Sequence, residues 1–155
     1  MNSVDQKTIK EILKCVPHRP PFLFIDEITF LNEDRAEGHY TFRKDEYFYK
    51  GHFPGRPMTP GVIMIEAMAQ LGPMPLGIFL HEFHLRKRPI FGVLSHLDVD
   101  IIRPILPGTK VYALAIKKAH RRNTLKCFCE LKSESGRLFA EGNLGLTLIE
   151  DNYEV

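Results

Sequence analysis

His52 and Glu66 are the two side chains of this sequence best placed to move protons. His52 stands in Gly51-His52-Phe53-Pro54, and Glu66 stands in the most apolar run of the chain, Pro60 to Leu71. A neutral imidazole can take a proton near physiological pH. The glycine before it lets the backbone approach a ligand closely. A carboxylate among Val62, Ile63, Ile65, Ala67, Met68, Ala69 and Leu71 loses hydration, and that loss is expected to raise its pKa. A carboxyl kept protonated near neutrality can give a proton to a departing hydroxide. Between the two residues, the helix opened by Pro60 would leave the N–H groups of Gly61 and Val62 unpaired, at the positive end of its dipole. A carbonyl placed there would be polarised and its enolate stabilised. Base, oxyanion donors and acid are the three parts that an elimination next to a carbonyl needs. Each residue also has a plainer reading. His52 could be a packed loop histidine bonded to a backbone carbonyl, and Glu66 could share a hydrated stripe with its i+4 neighbour Gln70.

Rigid elements must hold such a pair. Pro60 to Leu71 is the clearest helix, apolar on nearly every side and so expected in the middle of a domain. Pro60 suits its first turn. Pro73 and Pro75 should kink or end it, with a second helical piece possible through Leu80. The segment before it, Lys44 to Thr59, mixes Tyr47, Phe48, Tyr49 and Phe53 with Gly51, Pro54, Gly55 and Pro57. That composition predicts an irregular but packed loop, stiffened by its prolines on the way into the helix. Upstream, Asp5 to Cys15 carries Ile9, Ile12 and Leu13 at helical spacing and is closed by Pro17. Phe22 to Phe30 and Arg35 to Arg43 are strand candidates around an Asn32-Glu33-Asp34 turn. Downstream, Ile90 to Ile102, Lys110 to Lys118, Thr124 to Ser133 and Arg137 to Leu148 follow one another at hairpin spacing, which predicts an antiparallel meander. One helix wrapped by an antiparallel sheet is an α+β domain, expected here as a single unit over residues 1–155.

Composition narrows the function classes. A chain of 155 residues with 44% apolar and 26% charged residues suits one ordinary globular core. A net charge of +2 gives no overall drive toward nucleic acid or a membrane surface. No run of about 18 apolar residues reads as a span, and the polar first ten residues lack the apolar core of a signal peptide. Cys15, Cys127 and Cys129 cannot all pair within one chain; they read as reduced structural thiols of a cytoplasmic protein. His81, His84 and His96 lack a convincing metal spacing, and no metal is expected.

The quoted residues also resemble a family. Gly51-His52-Phe53-Pro54, Pro60-Gly61-Val62 and Glu66-Ala67-Met68-Ala69-Gln70 are similar to the central motif of the FabZ-type bacterial 3-hydroxyacyl-ACP dehydratases. His18-Arg19-Pro20-Pro21-Phe22-Leu23 with Asp26 resembles the N-terminal signature, and Arg103-Pro104 with Pro107-Gly108 resembles the strand turn. The resemblance spans nearly the whole chain. It implies a hot-dog fold, an antiparallel sheet wrapped around a long central helix. It implies a homodimer, in many members a trimer of dimers, in which His52 of one subunit faces Glu66 of the other. His52 would remove the C2 proton and Glu66 would protonate the leaving 3-hydroxyl, each transfer typically contributing about 10²–10⁴-fold. Gly61 and Val62 would bind the thioester oxygen, and Phe53, Pro60, Ile65 and Ala69 would line the acyl tunnel. The substrate would ride on an acyl carrier protein, and no cofactor is implied. Arg86-Lys87-Arg88 could steer that acidic carrier or be a solvated turn. Asp98 and Asp100 stand where the family usually carries basic residues, Thr109 replaces its usual acid, and Pro73 and Pro75 are unexpected in its helix; these differences bear on tunnel shape, carrier contact and pathway. Two other functions fit the same fold: an acyl thioesterase, and a non-catalytic subunit of a heteromeric dehydratase.

Overall fold

The apolar run after Pro60 folds as two consecutive helices, α2 (Gly61–Leu71) and α3 (Pro73–Leu80), in a computed structural model that describes residues 1–86 and 89–150. The break falls at Gly72. Pro73 offers no N–H to continue the ladder, and Gly72 has no room for a side chain: a Cβ there would lie 2.5 Å from the Ala115 Cβ. Pro60 itself stays outside the helix in an extended conformation, and Gly61 is the first helical residue. Together, Gly61–Leu80 has the length and apolarity of a membrane span, a feature that Glu66, Gln70 and the prolines obscure in the sequence, but 78% of the spanning window is buried inside the protein.

A six-stranded antiparallel sheet covers these helices. Its strands are β1 (Glu27–Leu31), β2 (Arg35–Thr41), β3 (Ile90–Ile101), β4 (Lys110–Arg121), β5 (Thr124–Lys132) and β6 (Leu138–Glu150). The order across the sheet is β1-β2-β4-β5-β6-β3. The expected meander therefore holds for β4, β5 and β6, while β3 crosses to the far edge and pairs with β6 instead of its sequence neighbour β4. Alternation along β5 buries Leu125, Cys127, Cys129 and Leu131 against the helices. Burial pushes the Cys127 thiol up to about 12 and the Cys129 thiol well above its ordinary value, so both are inert packing groups. All three cysteines are free.

The first helix, α1 (Gln6–Cys15), is capped by Asp5, whose carboxylate accepts from the Thr8 N–H at 2.7 Å. It buries Ile9 and Ile12 and stops at Val16, which is extended because Pro17 follows. The β1–β2 turn closes on Asn32, whose Oδ1 accepts from the N–H groups of Asp34 and Arg35. The strand expected to begin at Phe22 begins at Glu27. Its first half follows Pro20-Pro21 and gives its hydrogen bonds to a helix side chain, described below. A short helix, α4 (Phe83–Arg86), precedes β3.

Candidate active site

The loop that carries His52 is held at several points. A single 3₁₀ turn, Tyr47–Lys50, delivers the chain to Gly51. The His52 N–H donates to the Phe48 carbonyl at 3.0 Å, and the Met58 N–H donates to the His52 carbonyl at 2.9 Å. Phe53 and Arg56 bond each other's backbones around Gly55, whose φ of +72° favours glycine. Downstream, buried Thr59 bonds the Tyr49 hydroxyl through Oγ1 at 2.7 Å, and its N–H donates to the Ile105 carbonyl at 2.8 Å. These bonds fix the entry into α2.

The imidazole has one defined role available to each nitrogen. Nδ1 of His52 lies 2.8 Å from the Met58 carbonyl oxygen. A carbonyl only accepts, so Nδ1 carries the hydrogen and Nε2 carries the lone pair. The plain reading of His52 as a loop histidine bonded to a carbonyl is thus correct in geometry, and that bond is also what leaves Nε2 basic. The Phe53 ring stacks on the imidazole with centroids 4.1 Å apart and stays exposed.

Glu66 sits inside α2 with its side chain only 20% exposed. Its Oε1 accepts from Gln70 Nε2 at 2.8 Å and lies 3.2 Å from His18 Nε2. Gln70 is 0% exposed, so it does not share a hydrated stripe with Glu66. Its amide is oriented by the backbone it touches. Oε1 accepts from the Phe24 N–H at 2.8 Å, and Nε2 donates to the Phe22 carbonyl at 3.2 Å. That orientation points the second Nε2 hydrogen at Glu66. Burial pushes the Glu66 carboxyl up, but the hydrogen bond from His18, the one from Gln70 and the His18 charge outweigh it, and the group lies below its ordinary value of 4.5. The expected upward shift is therefore reversed within one chain, because the apolar helix face also meets two nitrogen donors. His18 and Gln70 were not singled out as site residues by sequence. The signal for Gln70 is its i+4 spacing from Glu66; for His18 the only signal is its place in the His18-Arg19-Pro20-Pro21 stretch.

The helix start offers the expected donors. No side chain caps α2, and the Pro60 carbonyl accepts from Ile63 and Met64. The Gly61 and Val62 N–H groups, first in the helix, have no carbonyl one turn earlier to bond. A Cβ on Gly61 would lie 2.6 Å from Ile101 Cδ1, so a larger residue there would have to push the Ile101 side chain aside. Val62 is exposed, Pro60 and Ile65 are half-buried, and Ala69 is 3% exposed within the core.

The structure does not bring His52 and Glu66 together by any hydrogen bond among the described residues. Five surface cavities of about 340 to 600 Å³ are lined by other side chains. Of the basic run, Arg86 pairs with Glu150 at 3.4 Å and lies over the Phe83 ring; Lys87 and Arg88 lie outside the described residues. His81 Nε2 and His120 Nε2 are 3.0 Å apart on the surface. Among the described residues no group of three or more His, Cys, Asp and Glu could hold a metal ion. Strand β3 is the most exposed element: its open edge carries Phe91, Val93, Leu94, Leu97 and Ile101 toward solvent.

Known proteins resemble this chain in sequence and in fold. A family model described as the FabA-like domain matches residues 16–141. The 3-hydroxyacyl-(acyl-carrier-protein) dehydratase FabZ of Clostridium botulinum (strain Loch Maree / Type A3) is 49% identical over 137 residues, 88% of this chain and 92% of that protein. The FabZ of Agrobacterium fabrum is 34% identical over 144 residues, 92% of this chain and 90% of that protein. Among solved structures, the dehydratase heterocomplex ApeI:P from Xenorhabdus doucetiae superposes with a TM-score of 0.74 at 14% identity, covering 91% of this chain and 92% of that one. A point mutant of thioesterase PA1618 from Pseudomonas aeruginosa superposes at 0.62 and 14% identity, covering 95% of each chain. At such identities the two structures establish the hot-dog fold alone, shared by dehydratases and thioesterases. The sequence relatives and the matched family model decide between them: this chain belongs to the FabA-like family, among the FabZ-type 3-hydroxyacyl-ACP dehydratases.

Proposed function

We propose that this chain reversibly dehydrates (3R)-hydroxyacyl thioesters on acyl carrier protein to trans-2-enoyl thioesters, in fatty-acid or related biosynthesis, with His52 as base and Glu66 as acid. The observation that carries the reading is the His52–Met58 bond, which keeps the proton on Nδ1 and leaves Nε2 free to take one. In the forward direction Nε2 removes the C2 proton. The freed pair forms the C2–C3 double bond, the C3–O bond breaks, and protonated Glu66 supplies the proton with which the hydroxyl leaves as water. The Gly61 and Val62 N–H groups would hold the thioester oxygen as charge builds on it. Entry of an acyl chain drives water from the carboxyl, which favours its neutral form.

The site would be completed by a second copy of the chain. Each chain presents its imidazole and its carboxyl without joining them, and the exposed apolar edge of β3 fits a partner strand. In such a homodimer His52 of one subunit would face the other subunit's acid helix, with Phe53, Pro60 and Ile65 toward the acyl chain; three dimers could assemble further. Arg86, with the basic residues that follow it in sequence, would meet the acidic carrier. Three unpaired thiols fit a reducing, cytoplasmic setting.

Hydration of enoyl thioesters across carrier-bound chains of increasing length tests the reading. His52→Ala and Glu66→Gln should each abolish turnover while the assembly persists. Mixing the two variants should restore part of the activity if subunits exchange. Release of free thiol without hydration would instead indicate a thioesterase.

A further inference from the structure

The Glu66 carboxyl is bound asymmetrically. Both nitrogen donors that reach it, Gln70 Nε2 and His18 Nε2, converge on Oε1. No hydrogen bond among the described residues reaches Oε2. His18 is itself held in place. Its side chain is 18% exposed and its ring stacks near Phe22 with centroids 6.3 Å apart. Arg19 Nη1 donates to the Val16 and His18 carbonyls, both at 2.6 Å, which fixes the bend after α1. Just beyond the prolines, Gln70 clamps Phe22 and Phe24 to the same helix that carries Glu66. The backbone on both sides of His18 is thus held, Phe22 flanks the ring, and Nε2 is its one nitrogen with a partner among the described residues, Nδ1 being buried without one.

We propose that His18 is a positioning residue for the reaction, holding Glu66 by Oε1 so that the proton is carried on and delivered from Oε2. The proposal rests on Glu66 being the acid of the proposed dehydratase. An oxygen that accepts two N–H groups is a poor place for the carboxyl proton, so the neutral acid carries it on the other oxygen. Once Oε2 has released its proton to the departing hydroxyl, Glu66 is a carboxylate, and the same two donors stabilise the charge. In the hydration direction Oε2 takes the proton back from the attacking water. Of the groups that face the carboxyl, Gln70 comes from α2 and is uncharged, and His18 comes from the extended segment and is the titratable one. The lowered Glu66 pKa is the expected accompaniment of this arrangement, and it makes the acid readier to give its proton when substrate is bound.

Two variants and two readouts test the proposal. His18→Ala should lower kcat for enoyl hydration by about 10–100-fold, the scale of a misplaced catalytic group, with KM within about two-fold. His18→Asn, which restores an N–H donor without the ring's charge, should recover most of that loss. The low-pH limb of the rate profile, which follows Glu66, should move to higher pH in His18→Ala. Independently of turnover, carboxyl-labelled glutamate NMR of the free protein, assigned with Glu66→Gln, should show Glu66 titrating at higher pH in His18→Ala than in wild type. An unmoved Glu66 titration, a kcat unchanged in His18→Ala, or a loss expressed only in KM would overturn the proposal. If wild type fails to hydrate any enoyl thioester yet the titration moves, the dehydratase reading falls and the His18–Glu66 coupling stands.

Discussion

Replacing Gln70 by leucine removes a polar group of similar size from a position with no exposure to water. Three hydrogen bonds are lost, to the Phe24 N–H, the Phe22 carbonyl and the Glu66 carboxyl. The Phe24 N–H belongs to a fully buried residue, and Gln70 Oε1 is its one acceptor among the described residues, so leaving it unpaired costs ~1–3 kcal/mol. The Phe22 residue is partly exposed, so its carbonyl can turn toward water and adds under ~1 kcal/mol. Glu66 keeps His18 and loses one donor. The total, ~1–4 kcal/mol, is a large share of the ~5–15 kcal/mol that holds a typical domain. Urea unfolding should show the midpoint falling at constant slope, because the surface exposed on unfolding hardly changes. Hydration kinetics, taken where the variant is still folded, should show kcat falling as Glu66, the acid proposed above, loses its Gln70 donor. A Gln70→Leu protein within ~0.5 kcal/mol of wild type would refute the idea that this amide ties the upstream segment to the helix.

Other outcomes follow from the same geometry. Gly72→Val forces a side chain into the Ala115 Cβ contact and should cost at least ~1–3 kcal/mol, read as a drop in thermal midpoint of several degrees. Thr59→Val removes the Tyr49 partner and should lower stability by ~1–2 kcal/mol and kcat with it, by calorimetry and hydration assay. If the proposed homodimer pairs through the open edge, Leu97→Asp should leave monomers in sedimentation and abolish hydration, since the proposed site draws on both copies. Glu66 lies below its ordinary value of 4.5. Its charged form therefore stabilises the fold above that pH, and the contribution is lost as pH falls through the folded value. The urea midpoint of wild type should drop more steeply below pH 4.5 than that of Glu66→Gln.

The strands and the central helices were legible because their signals are local. Alternation in Thr124–Lys132 and the apolar run after Pro60 state their own geometry. The break after Leu71 could be read from Pro73. What could not be read was pairing over distance. Nothing within Ile90–Ile101 announces that it lies beside β6 rather than β4. Phe22 and Phe24 alternate like strand residues, yet the Phe22 carbonyl and the Phe24 N–H bond a glutamine 48 and 46 positions away. The site divides in the same way. The types of His52 and Glu66 and the glycine at the helix start are visible in sequence. The direction of the Glu66 shift is not, because it depends on His18 arriving from the other side of Pro20-Pro21.

Strand β3 has a consequence for handling this protein. It is the last strand of its sheet, twelve residues long, and its outer rail of N–H and C=O groups is open while greasy side chains flank it. Such a rail accepts any extended chain, whether a proper mate or a misfolded stranger. If the proposed dimer covers this rail, dilute preparations should lose material by precipitation sooner than concentrated ones, and a charged lysine grafted midway along the rail should trade enzymatic output for shelf life.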